Sequence, residues 1–244
     1  MTKLIKNLAM WTILVCASTA FAGTFTVSTP SGSTAGGQPV DASATFTTSA
    51  GALDITIFNN QANPTSVIQN VSDLFFSLNS VTSGTLASSS GYEIFVAADG
   101  TTSNGGSGVS TGWVLSISSG VFHLDGLNGA ADVPAHTIIG APDGSGVYSN
   151  ANNSITGNGP HNPFLESGAT FEIADAAITA DTIVSGVIFS FGTASGTNVP
   201  GNNAPDNGST LMLLGIALAV CEFGRRALSN RFAVAKMGSR SIMG

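Results

Sequence analysis

A Gly-x-Ser-x-Gly match, a histidine and an aspartate two residues apart, two further histidines and four loop aspartates hold the residue types from which a reactive or ligand-binding site could be made. Gly108-Val109-Ser110-Thr111-Gly112 has the pattern of a nucleophile elbow, where a strained strand-to-helix turn presents a serine hydroxyl to its base. In a chain with 30 glycines and abundant serine such a match arises by chance. Its flanks, a glycine-rich loop before and a strand after, lack the helix that an elbow requires, so no catalytic residue is assigned. His123 and Asp125 alternate with Phe122 and Leu124, which puts their side chains on one side of a strand, able to share a hydrogen bond or a metal. Phe122 and Leu124 claim the core face, which leaves His123 and Asp125 on the solvent face. A metal needs a third and a fourth ligand, and no nearby residue supplies them, so no metal site is assigned. His136 and His161 stand near prolines and read as loop residues.

Asp99, Asp132, Asp143 and Asp181 lie among Gly, Asn and carbonyl groups, the oxygen-rich setting that calcium takes. None has the spacing of an EF-hand loop. A structural calcium is thus admitted by composition, with ordinary aspartate turn chemistry as its competitor; no other cofactor is expected. Asn70-Val71-Ser72, Asn152-Asn153-Ser154 and Asn207-Gly208-Ser209 fit the glycosylation sequon, a coincidence expected in a chain so rich in Asn and Ser.

The elements that must position these residues are strands. Short β-branched and aromatic runs alternate with Gly, Ser, Asn and Pro clusters, and no long segment keeps a helical period. Strands are expected at 24–29, 44–48, 53–59, 74–81, 92–97, 113–118, 121–127, 169–173 and 182–191. That spacing predicts an all-β fold, an antiparallel β-sandwich of jelly-roll type, over residues 23–192. Counting by two assigns Leu53, Ile55 and Ile57, Trp113, Leu115 and Ile117, Phe171 and Ile173, and Val187, Phe189 and Phe191 to the core. Residues 193–203 carry almost nothing to bury and read as a flexible linker.

Only 9% of the 244 residues are charged, too few for a coiled coil or long helical bundle. The hydrophobic content of 43% argues against a disordered chain. Charge placement is more informative than the net −7. The seven basic residues are Lys3 and Lys6 at the front and Arg225, Arg226, Arg231, Lys236 and Arg240 at the back; between Gly23 and Pro205 there is none, while twelve of the fourteen acids lie there. A body without a basic patch excludes nucleic acid and anionic lipid as partners. Cys16 and Cys221 also fall outside it, so no disulfide staples it.

Each end reads as a topogenic signal. Lys3 and Lys6 precede the apolar run Leu8–Val15, and Ala20-Phe21-Ala22 supplies small residues at the spacing of a signal peptidase site, which makes 1–22 a secretory signal peptide cleaved after Ala22. At the other end, residues 209–223 hold the largely apolar stretch Thr210–Cys221, then Glu222, and are followed by Arg225 and Arg226. As a helix they reach about 22 Å against a hydrocarbon core of roughly 30 Å, a marginal anchor that suits temporary residence in the bilayer. Basic residues at both ends favour the cytoplasmic side, including the tail 227–244, so the middle is pushed out.

The run Ala204-Pro205-Asp206-Asn207-Gly208-Ser209-Thr210-Leu211, followed by the hydrophobic helix and Arg225-Arg226, resembles the VPDSG-type variant of the PEP-CTERM sorting signals handled by exosortases. Pro205, Asp206, Gly208, Ser209 and Thr210 match the motif as it stands, Ala204 and Asn207 replace its usual Val and Ser, and the tail to Gly244 is longer than the family's. The resemblance spans 204–226. It implies removal of the anchor by a membrane-embedded cysteine transpeptidase-like protease and delivery to the cell surface or medium, commonly alongside exopolysaccharide. Gly159-Pro160-His161-Asn162-Pro163-Phe164 and the run Val187–Thr193 are loosely similar to the bodies of such proteins.

The expected function is therefore that of an exported, non-enzymatic surface or matrix protein, whose partners are signal peptidase, exosortase and exopolysaccharide. A carbohydrate-binding module or adhesin is the alternative, with Tyr92 and Tyr148 as exposed platforms and Trp113 counted as core. A secreted hydrolase would need acids, His or Ser converging in one cleft, and their spacing gives no such convergence.

Overall fold

The computed structural model describes residues 23–127, 136–194 and 196–203. Its strands, in chain order, are β1 (Gly23–Ser28), β2 (Thr34–Ala35), β3 (Gln38–Pro39), β4 (Ala42–Ser49), β5 (Ala52–Asn59), β6 (Val71–Leu78), β7 (Thr85–Val96) and β8 (Thr102–Val109). They continue as β9 (Val114–Ser118), β10 (Val121–Asp125), β11 (Ile138–Ile139), β12 (Phe164–Ala174), β13 (Val184–Phe191), β14 (Asn198–Pro200) and β15 (Asn202–Asn203). Among the described residues the single helical element is one 3-10 turn, Val67–Gln69, and no helix there is long and apolar enough to cross a membrane.

The pairings build the expected all-β sandwich. One layer runs β15-β1-β4-β5-β12-β7-β8 and the other β14-β13-β6-β10-β9, while β2 and β3 form a separate hairpin. The two-residue β11 pairs antiparallel with β6 and parallel with β12, so it links the layers and makes the sheet mixed. Alternation explains the strands: in β4, Ala42, Ala44, Phe46 and Thr48 are buried while the intervening Ser and Thr residues are half-buried. Phe46 of one layer meets Phe76 of the other edge-on at 5.5 Å, and Phe76 stacks on Phe122 at 5.3 Å. On the outer side of β1 and β4, threonine hydroxyls take the place of ion pairs: Thr24 bonds Thr47 at 3.1 Å and Thr26 bonds Thr45 at 2.9 Å.

All nine expected strands are present, and of the expected core only Leu115 and Ile117 are half-buried, because among the described residues β9 pairs on one side alone. Two expectations change. The glycine-rich run expected as a loop before Ser110 is β8, an exposed strand that among the described residues pairs with β7 alone, with no apolar alternation to announce it. Residues 193–203, expected as a flexible linker, contain β14 and β15. Val199 is buried opposite Phe189, Gly201 N–H bonds Val187 O at 2.9 Å, and Asn202 and Asn203 pair with Ser28 and Val27. One buried valine and backbone ladders suffice to dock this segment. The expected signal peptide with Ala20 and Ala22, the expected motif Pro205, Asp206, Gly208, Ser209 and Thr210, the expected helix over 209–223, Arg225 and Arg226, the tail and Asp132 lie outside the described residues.

Candidate functional site

The site is set up by two adjacent strands of the second layer. Ser119 and Gly120 both have positive φ, 51° and 79°, the two-residue turn that matches strand twist and fixes the β9–β10 register. β10 then lies antiparallel on β6 with His123 opposite Phe75 and Asp125 opposite Asp73. Leu74, Phe76, Phe122 and Leu124 fill the core, so Asp73, Phe75, His123 and Asp125 share the other face. The expectation that His123 and Asp125 face solvent is corrected here: they do lie opposite the core, but Asp125 is 5% exposed and His123 is half-buried. A third side chain able to ligate, which the local sequence lacks, comes from β6 in Asp73, 3% exposed.

His123 sits between the carboxylates. Its Nε2 is 3.2 Å from Asp73 Oδ1 and its Nδ1 is 3.8 Å from Asp125 Oδ2, while the ring lies flat on Phe75 at 3.9 Å. The other oxygen of each acid is tied down. Ser72 Oγ donates to Asp73 Oδ2 at 2.8 Å, and Leu127 N–H donates to Asp125 Oδ1 at 2.9 Å. The turn after Asp125 requires Gly126, whose N–H bonds Ser72 O at 2.9 Å; a Cβ there would lie 2.7 Å from that oxygen and from the Trp113 ring. One oxygen from each acid and one imidazole nitrogen lie within 4.8 Å of one another, the donor set of a divalent cation.

His136 makes a second contact. Its Nε2 is 3.1 Å from Glu93 Oε2 and its Nδ1 3.0 Å from Thr111 O, with φ at 64°. Both ring nitrogens face acceptors, so neither is turned to a serine hydroxyl as a general base must be. Ser110 is exposed and accepts from Gly112 N–H at 3.5 Å. A strand does precede Ser110, but β9 follows it and the helix of an elbow is absent among the described residues. His161 Nδ1 is 2.6 Å from Ser154 O in a loop.

The loop aspartates serve their own turns. Asp99 Oδ1 accepts from Thr101 N–H and Oγ, and Asp143 accepts from Ser145, Val147 and Ser149. These bonds hold both carboxyls below the ordinary range, with the Thr101 hydroxyl the first cause at Asp99 and the Ser145 hydroxyl at Asp143. Asp181 is exposed. The Asn70 of the first sequon is fully buried.

Tyr148, expected on the surface, is 1% exposed in a small cluster with Ile94, Val96 and Phe164, and its hydroxyl donates to Gly140 O at 2.8 Å. Burial raises its pKa well above the usual phenol range. Tyr92 is exposed as expected and lines an outer groove of about 310 Å³ with Phe58 and Glu166. Phe58, 43% exposed, carries no signal of its own in the sequence, because Ile55 and Ile57 assign the core parity of β5 and leave it outward. Its ring lies against Gly168, where a Cβ would be 2.9 Å away.

No family model, curated protein or solved structure matches the chain.

Proposed function

We propose that the chain is an exported, non-enzymatic protein of the cell surface or extracellular matrix, delivered by the signal peptide 1–22, held briefly by the helix 209–223 and processed by an exosortase at the motif around Pro205, Asp206, Gly208, Ser209 and Thr210. The observation that carries this reading is the placement of the body's two ends. β1 and β15, the first and last strands among the described residues, are neighbours at one edge of the sheet. The two strands are antiparallel, with Ser28 opposite Asn202 and Val27 opposite Asn203, so the chain leaves β15 heading toward the end at which it enters β1. A body strung between two segments in one bilayer needs its ends to issue together. The complete lack of Lys and Arg between Gly23 and Pro205 supports the same topology. The engagement of both His136 nitrogens, away from Ser110, supports a non-enzymatic role.

The test is to replace Pro205 and Asp206 by alanine and follow the size and location of the protein in its own host. Retention at full length in the membrane fraction is expected. Unchanged processing and display would overturn the sorting reading.

A second reading, that the displayed body binds exopolysaccharide, is favoured by the groove of Phe58, Tyr92 and Glu166, since two exposed aromatics beside an acid can stack on sugar rings and bond their hydroxyls. The paired changes Phe58→Ala and Tyr92→Ala are expected to abolish retention on immobilised host polysaccharide; equal retention would reject it.

A further inference from the structure

We propose that Asp73, His123 and Asp125, with the Ser190 hydroxyl beside them, form a binding site for one divalent transition-metal ion of the zinc type. This goes beyond the sorting reading and is independent of it, since every residue involved belongs to the folded body.

The first argument is charge. Asp73 and Asp125 are 3% and 5% exposed and stand opposite one another across the β6–β10 ladder. Buried carboxylates are paired or coordinate metals. In most proteins a lysine or arginine would do the pairing, but none exists between Gly23 and Pro205. The ion pairs among the described residues all use histidine, and His123 is the one placed here. At Asp73 the partner is that one imidazole, 3.2 Å away, which supplies at most one positive charge. A divalent cation supplies two.

The second argument is a buried hydroxyl without a partner. Ser190 is 1% exposed and its Oγ has no hydrogen-bond partner among the described residues. It stands directly across from Asp73 in the β6–β13 ladder, which puts the two side chains on the same side of the sheet. Ser190, Asp73 and Asp125 thus form one row over three adjacent strands, with His123 one step along. An orphaned hydroxyl in that row is accounted for when it faces an ion or an ion-bound water.

The third argument is pre-orientation. Ser72 Oγ and the Leu127 N–H each hold the far oxygen of one acid, and Phe75 fixes the imidazole plane by stacking. Such outer contacts aim ligands in metal sites. An imidazole with two carboxylates suits zinc and its neighbours; calcium and magnesium prefer oxygen alone.

The test uses the untagged full chain carrying Cys16→Ser and Cys221→Ser, so that no thiolate competes, stripped with EDTA and titrated with zinc chloride and separately with cobalt chloride. One zinc per chain is expected, with a melting midpoint raised by roughly 5–10 °C at a hundredfold excess over Kd, and cobalt is expected to give a visible absorption band that zinc displaces. Asp73→Asn and His123→Gln should abolish both signals, Ser190→Ala should weaken binding about tenfold, and His136→Gln should bind as the parent does. Identical midpoints in zinc and in EDTA with no cobalt band would overturn the site, as would parental binding by His123→Gln. The cobalt spectrum of the parent decides the matter even where a variant fails to fold.

Discussion

Asp143 accepts four hydrogen bonds from its own turn, from the amides of Ser145 and Val147 and the hydroxyls of Ser145 and Ser149, and is half-buried in a surface loop. Asp73, in the same cation-free body, is buried in the middle of a sheet and shares an imidazole with a second buried acid. The difference teaches that local chain chemistry suffices where solvent does part of the work, whereas a buried acid needs partners brought by tertiary structure. Serine and threonine hydroxyls replace lysine at Asp99, Asp143 and Asp175; at Asp73 one hydroxyl, from Ser72, covers Oδ2 and His123 faces Oδ1.

The sharpest way to break this comparison is His123→Leu. If the imidazole holds two buried acids, the loss should cost roughly 3 kcal/mol in urea unfolding measured in EDTA. A change no larger than that of an exposed substitution would mean that Asp73 and Asp125 do not depend on the imidazole. The triple variant His123→Leu, Asp73→Asn, Asp125→Asn sharpens the point. With the charges gone, about 2 kcal/mol of the loss should return, because the cost lies in uncompensated charge rather than in a lost contact. A triple variant less stable than His123→Leu alone would assign the stability to hydrogen bonds instead.

The same contrast explains what the sequence disclosed. Alternation in segments such as Leu53-Asp54-Ile55-Thr56-Ile57 disclosed the strands and the core because one face is buried and the other is wet. β8 escaped notice because an exposed edge strand of Thr, Ser, Asn and Gly has no buried face. β14 and β15 escaped because Val199 is the one apolar residue between Gly196 and Asn203. His123 and Asp125 were legible from their spacing, but Asp73 comes from 50 residues upstream, brought in by a register that no local pattern states. One signal was available: an aspartate on the face opposite the core positions Leu74, Phe76 and Leu78, in a body with no lysine or arginine to accept it. Tyr148 misled for the opposite reason. A tyrosine in a polar loop reads as exposed, and only the Gly140 carbonyl permits its hydroxyl to be buried.

On the exposed side of the comparison the expected effects are smaller and local. Asp143→Ala should speed amide exchange at Ser145 and Val147 several-fold while leaving exchange in β6 and β10 unchanged, since the turn bonds end within the loop. Faster exchange in the strands as well would show that this turn supports the sandwich.

The smallest effect is acid sensitivity, and its sign follows from the direction of the shifts. Asp143, Asp99 and Asp175 all have carboxyls lowered from the ordinary 3.8 by hydrogen bonds, led by the hydroxyls of Ser145, Thr101 and Ser83. A carboxyl that is harder to protonate in the folded state contributes stability that is complete above the unfolded value and is lost as pH falls through the folded one. Stability should therefore be insensitive to these three groups from neutrality down to about pH 4, then fall toward lower pH as the unfolded chain takes up protons first. Carbon-detected titration of the side-chain carboxyls is expected to place all three midpoints below 3.8, with Asp143 lowest because hydroxyls reach both of its oxygens. Asp143→Asn keeps an acceptor for Ser145 but puts an amide group where Ser149 donates, so the loop's acid response should shrink while its neutral-pH structure persists. An Asp143 midpoint at the ordinary value would mean that those hydroxyls are spent on solvent, and the exposed acids would then lose the local chemistry that sets them apart from Asp73 and Asp125.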